Sequence, residues 1–161
     1  MTMRPFIDLL QRFSATAQAN DGTGFAALFT PQAVYDDYFF GAHTGREAIA
    51  HMLARFHEGG ETYRWEFFDP LCDGVTGYAS YRFSYRSKLP EVAGRTIAFE
   101  GMSRMTLEDG LIARYAEVFD RGVAFTQLGF APGKVHRLLE KYAEAQNAAP
   151  GMRPHFTRFG A

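Results

Sequence analysis

The spacing of apolar residues changes once along this chain, and the change limits the folds open to it. Phe6, Leu9, Leu10, Phe13 and Ala17 recur at helical spacing, as do Ile49, Met52, Leu53 and Phe56. From Tyr63 onward the period is two: Tyr63, Trp65 and Phe67 alternate with Arg64 and Glu66, and Ala79, Tyr81, Phe83 and Tyr85 alternate with Ser80, Arg82, Ser84 and Arg86. Helices first and a run of long strands afterwards predict an α+β fold in which an antiparallel meander packs on N-terminal helices. Pro5 suits the first helical turn, and Asn20-Asp21-Gly22 supplies its stop. A short second helix is expected from Gly24 to Phe29, ended by Pro31, followed by a strand in AVYDDYFF. Thr44 and Glu47 form a capping-box pattern for the third helix, closed by Gly59-Gly60. Further strands are expected near Thr96 to Leu107 and Leu111 to Phe119, joined at Glu108-Asp109-Gly110, where Asp-Gly signals a tight turn. A terminal helix begins near Pro132 and stops before Pro150.

A chain of 161 residues fits one domain, with a core over about 6–130 and a C-terminal helix and tail over 131–161. Aromatic residues make up 16% of it, enough to suggest a lined cavity or a subunit interface besides an ordinary core. Seventeen Lys+Arg against eighteen Asp+Glu, with no basic run, give no footprint for nucleic acid or anionic lipid. No stretch approaches the roughly 20 apolar residues that cross a bilayer, and Asp8 and Gln11 interrupt the apolar pattern a signal peptide would need. With one cysteine, Cys72, these features lead us to expect a soluble cytoplasmic protein. His51 and His57 fall on different helix faces and His43 stands alone in a loop, so no metal site is expected. The absence of GxGxxG and GxxxxGK[ST] leads us to expect no nucleotide cofactor.

The order helix, helix, strand, helix and long meander ending in YAEVFD resembles the nuclear transport factor 2-like superfamily, over about Phe6 to Phe130. That superfamily includes ketosteroid isomerase, SnoaL-like polyketide cyclases, scytalone dehydratase and limonene-1,2-epoxide hydrolase. The resemblance implies a cone-shaped curved antiparallel sheet wrapped around the N-terminal helices, with an apolar ligand in its open end. Aligned with ketosteroid isomerase, QRFSATAQANDGTGFAALFTPQAVYDD puts Asp37 at the carboxylate base, while Phe13 and Met102 fall where that enzyme has its oxyanion donors. Aligned with limonene-1,2-epoxide hydrolase, VYDDYFFGAHTGREA places Tyr35 and Asp37 on the water-positioning pair. YRFSYRSKLP then puts Arg82 on the central arginine, and YAEVFD puts Asp120 on the general base. Ser84 stands where that family has its acid, so Asp37, opposite Asp120 across Arg82, is expected to take that part.

Strand alternation allows Ser80, Arg82 and Ser84 to share the inner face with Glu100, Met102 and Arg104, so that Asp37, Arg82, Glu100, Arg104 and Asp120 form one buried network. Tyr81, Phe83, Tyr85, Tyr115 and Phe119 would then form an outer aromatic stripe, which implies a homodimer or cover by the terminal helix. The site expected from sequence therefore comprises Tyr35, Asp37, Arg82 and Asp120 for catalysis, and Phe13, Ser84, Glu100, Met102 and Arg104 for substrate contact. The function expected is a cofactor-free acid-base enzyme of hydrolase, isomerase or cyclase type acting on a small apolar, terpenoid- or polyketide-like substrate. The alternative is a non-catalytic ligand-binding or oligomerisation module. Phe156 and Phe159 in the tail point to docking on a partner or over the pocket, against a frayed end.

Overall fold

Helix α1 (Met3–Gln18) forms where the helical spacing predicts it, and Phe6, Leu9, Leu10, Phe13 and Ala17 are all buried. The computed structural model describes residues 3–157, so the expected docking of Phe159 lies outside the described residues. A single-turn helix α2 (Gly22–Ala26) is capped by Asp21, whose carboxylate accepts from the Gly24 N–H at 2.8 Å. It starts and ends earlier than the spacing suggested, because Phe29 already opens strand β1 (Phe29–Asp37). Pro31 is tolerated inside that strand where the ladder to its neighbour is irregular, between Phe29 and Val34. Residues 38–40 then form a turn, not the end of the strand, and the chain returns in a short strand β2 (Gly41–Thr44) that the sequence did not announce.

Helix α3 (Arg46–Glu58) buries Ile49, Met52 and Leu53 as its spacing requires. The expected capping box does not form: Gly45 is the N-cap, at φ 86°, and no side chain caps the helix. Strands β3 (Gly60–Cys72), β4 (Thr76–Ser87), β5 (Thr96–Glu108) and β6 (Leu111–Phe119) make the meander. At the β5–β6 turn Asp109 (φ 48°) and Gly110 (φ 81°) are both left-handed, the conformation a two-residue hairpin demands. The six strands lie in the order β2-β1-β6-β5-β4-β3, every pair antiparallel except β1 with β6. The result is a curved, unclosed α+β sheet around the N-terminal helices, followed by α4 (Arg121–Gln127), α5 (Pro132–Ala148) and α6 (Arg153–Thr157). No described helix is long and apolar enough to cross a membrane.

The expected face of the strands is reversed. Tyr81 and Tyr115 are fully buried, and Phe83, Tyr85, Phe99 and Phe119 join them on the side covered by the helices. Arg82, Glu100, Met102 and Arg104 are exposed on the outer side. Because side chains alternate with a period of two, one choice of phase exchanges the whole apolar set for the whole polar one. The helix faces are apolar, so burying the rings against them gains hydrophobic free energy, while burying the arginines would cost desolvation. The outer charges instead pair in water: Arg82 Nε meets Glu100 Oε1 at 2.8 Å, Arg64 Nη2 meets Glu66 Oε1 at 2.6 Å, and Arg114 meets Asp36. The dimer argument that rested on an outer aromatic stripe falls with this reversal.

Helix α1 seats on the sheet through Phe6, whose ring lies directly over Gly77 of β4 and would collide with any Cβ there. Gly77→Ala should therefore cost about 1–3 kcal/mol of unfolding free energy by overpacking. Arg82→Ala, which breaks a pair whose side chains are 60% and 68% exposed, should cost less than about 1 kcal/mol. Urea denaturation of the two variants measures both, and an equal or larger loss in Arg82→Ala would contradict its outward placement.

Candidate active site

A narrow pocket of about 40 Å³ opens between α2, α3 and the inner face of the sheet. Phe25, Met52, Leu53 and Phe56 line it from the helices, and Trp65, Phe83, Phe99 and Phe119 from the strands. Phe39, in the turn between β1 and β2, completes the wall. Four polar side chains interrupt this lining: Tyr35 and Asp37 from β1, Tyr81 from β4 and Glu117 from β6. Alternation along β1 and β6 sends residues 35 and 37, and 115 and 117, to the same side. The parallel register pairs Tyr35 with Tyr115, and their rings stack at 4.4 Å.

These groups form a connected chain. Tyr81 Oη donates to Glu117 Oε2 at 2.8 Å, and Tyr115 Oη donates to the same oxygen at 3.0 Å. Ser103 Oγ lies 2.8 Å from Tyr115 Oη. Since Tyr115 gives its single proton to Glu117, Ser103 is the donor of that contact. Gly101 makes the arrangement possible: a Cβ there would run into the Tyr81 phenol and stand 2.7 Å from the Val118 carbonyl oxygen. Asp37 is held differently. Its Oδ1 accepts from the Phe39 N–H at 2.8 Å and the Phe40 N–H at 2.7 Å, while Oδ2 accepts no hydrogen bond from the described residues.

Burial and neighbours set the two carboxyls apart. Burial pushes Glu117 up from the usual 4.5 to about 7, helped by the nearby Asp37 charge and opposed by the bonds from Tyr81, Tyr115 and the Tyr38 N–H. Burial also raises Asp37, but the Phe40 and Phe39 amides hold its ionised form, as do His43 and Arg121 close by. Asp37 is therefore the member that ionises first, and Glu117 the one that keeps a proton towards neutral pH. Burial raises the phenols of Tyr35, Tyr81 and Tyr115 as well, with the Glu117 charge adding to it, so they remain proton donors. Trp65 Nε1 and His43 Nε2 are buried without a hydrogen-bond partner, polar atoms that a bound ligand or water would satisfy. Among the described residues no group of three or more His, Cys, Asp or Glu could hold a metal ion.

Of the residues expected from sequence, Tyr35 and Asp37 line this pocket. Arg82, Ser84 and Glu100 instead border an outer groove of the sheet, and Met102 and Arg104 stand exposed on that same outer side. Phe13 is fully buried beneath the pocket as a core ring. Asp120 is exposed and caps α4, its Oδ1 accepting from the Val123 N–H at 3.1 Å. The structure therefore does not bring Asp37, Arg82 and Asp120 together. Glu117 and Tyr81, which the site expected from sequence did not include, line the pocket with Tyr35 and Asp37. The signal for Glu117 was present in the sequence, since a strand glutamate two residues from Tyr115 and two from Phe119 must share their buried face.

The fold and this pocket agree with the relationships the chain shows. The sequence pattern of the SnoaL-like domain matches residues 10–115, and the chain belongs to that family, within the nuclear transport factor 2-like superfamily. By sequence, no curated protein matches it. Among solved structures, TsrD from Streptomyces laurentii superposes with a TM-score of 0.69 at 20% identity, over 80% of this chain and 98% of that one. A hypothetical protein with a ketosteroid isomerase-like fold from Catenulispora acidiphila, in complex with trimethylamine, gives 0.70 at 17% identity, over 76% and 93%. An epoxide hydrolase of M. tuberculosis, like limonene epoxide hydrolase, gives 0.64 at 18%, over 78% and 90%. These likenesses establish the fold; the chemistry rests on the side chains.

The raised Glu117 has a consequence for stability. In the unfolded chain it ionises near 4.5 and in the folded one near 7, so its contribution is fully present below about pH 4.5 and lost as the pH rises to 7. The loss amounts to roughly 3 kcal/mol at most. Glu117→Gln, which accepts the same phenols without ionising, should be more stable than the parent above pH 7 and flatten that part of the profile. Melting temperatures of both proteins from pH 5 to 8 test this; a parallel fall in both would assign the slope to other groups.

Proposed function

We propose that the protein is a cofactor-free proton-transfer enzyme of isomerase or cyclase type acting on a small, apolar carbonyl compound. The observation that carries the reading is a pair of pocket carboxyls held by different hydrogen-bond sets, Asp37 by two backbone amides and Glu117 by two phenols. Asp37, ionised and with Oδ2 unengaged, takes a proton from the carbon beside the substrate carbonyl. Protonated Glu117, backed by Tyr81 and Tyr115, donates to the carbonyl oxygen as charge develops there. The aromatic walls exclude water and strengthen both interactions. The electron pair freed at carbon is then available for reprotonation at another carbon, or for attack on a second carbonyl of the same molecule.

Epoxide hydrolysis is the weaker reading, because the arginine that the hydrolase pattern places between its carboxylates lies here on the outer face at Arg82. The assay is deuterium incorporation from D2O beside the carbonyl of β,γ-unsaturated and 1,3-dicarbonyl ketones, followed by NMR. Asp37→Asn should lower the exchange rate by about 10²–10⁴-fold, and Tyr81→Phe by a smaller factor, with folding retained. Turnover should decline above pH 7 as Glu117 loses its proton, and that decline should vanish in Glu117→Gln. Undiminished exchange in Asp37→Asn would remove the base and favour a ligand-binding role for the pocket.

A further inference from the structure

The C-terminal segment lies beyond the matched domain, which ends at residue 115, and α5 buries none of its own residues. Tyr142 of α5 and Arg121 of α4 nevertheless make directed contacts, and these converge on the turn formed by Tyr38, Phe39 and Phe40. Tyr142 Oη donates to the Phe39 carbonyl at 3.0 Å, and Arg121 Nε donates to the Tyr38 carbonyl at 2.7 Å. The Arg121 guanidinium lies between two rings, 3.4 Å from the centre of Tyr38 and 3.7 Å from that of Tyr142. Helix α4 is fastened in turn to β5: Gln127 accepts from the Ala98 N–H at 2.6 Å and donates to the Ala98 carbonyl at 2.7 Å.

The other side of the same turn belongs to the pocket. Two of its amides are taken by a pocket carboxyl: Asp37 accepts from the Phe39 and Phe40 N–H groups. The Phe39 ring stands in the pocket wall, against Phe119 at 4.8 Å and Phe125 at 5.3 Å. Carbonyls held from the C-terminal segment and amides held by Asp37 make this turn a joint between the segment and the pocket. We infer that Arg121 and Tyr142 are positioning residues of the pocket. By fixing the Tyr38 and Phe39 carbonyls they set how far Phe39 covers the mouth and how Asp37 faces the bound molecule. The inference builds on the reading of the pocket as the reaction site, but its test needs no turnover.

Trp65 is the single tryptophan of the chain and lines the same pocket, so its quenching by acrylamide reports how open the mouth is. Tyr142→Phe keeps the ring and removes only the hydroxyl. It should raise the Trp65 quenching constant and speed amide exchange at Phe39 and Phe40 by about tenfold, with α1 amides unchanged. Tyr142→Phe combined with Arg121→Gln should increase both effects, and Arg121→Lys should not restore them, since lysine lacks the planar fork. Wild-type quenching and wild-type exchange at Phe39 and Phe40 in the double variant would overturn the inference. So would equal acceleration in α1, which would mark a general loss of stability. Failure of the proton-transfer reading appears separately, as a wild-type protein without deuterium exchange on any ketone.

Discussion

Phe13 of α1 touches the rings of Phe25 and Phe29 from the helix–strand corner, Trp65 and Phe67 from β3, and Tyr115 from β6. Apolar burial of this kind has no direction of its own, yet it decides which face of a sheet looks inward. Once Trp65 and Tyr115 are drawn to Phe13, every residue two steps away along those strands follows. Glu117 is carried in by Tyr115, and Tyr81 enters beside Trp65 at 5.5 Å. The polar chain at the pocket floor is thus a consequence of hydrophobic packing, and its hydrogen bonds satisfy groups that the packing had already desolvated.

That order of causes explains the chemistry available. A carboxyl pulled inside by its aromatic neighbours meets no cation among the pocket-lining residues, so it holds its proton. Asp37 enters by the same alternation but at the end of its strand, where the chain turns and presents two free amides. Burial raises both acids, but at Asp37 the Phe40 and Phe39 amides oppose that rise, whereas Glu117 is pushed up to about 7. Two ordinary residues become unlike through position alone. The stability lost at neutral pH by keeping Glu117 buried is the kind of cost that functional sites retain.

Much of the fold was legible in local signals. The buried face of α1, the inner face of α3, the Asp109-Gly110 turn and the long strands all follow from spacing and turn chemistry. The phase of the strands was not legible from alternation, which specifies two faces without saying which is inner. That choice belongs to the helices, through contacts far apart in the chain. Matching a remote pattern then placed Arg82 and Asp120 in the site, whereas the packing puts one on the outer sheet face and the other at a helix cap. Tyr35 and Asp37 needed only the short-range geometry of one strand. Glu117 needed the inner face to be known, and Gly101 became meaningful only once Tyr81 had a target.

The parallel pairing of β1 with β6 joins the first strand of the chain to the last. Hairpin neighbours such as β5 and β6 can zip as soon as both exist, but β1 must wait for a strand made after most of the chain has been synthesised. Asp37 and Glu117 stand on opposite sides of that seam. In a nascent or partly folded chain the two acids are therefore separate, hydrated and ordinary. The pocket brings the two acids together only when that long-range seam has formed, so their unlike surroundings depend on a contact between distant parts of the chain.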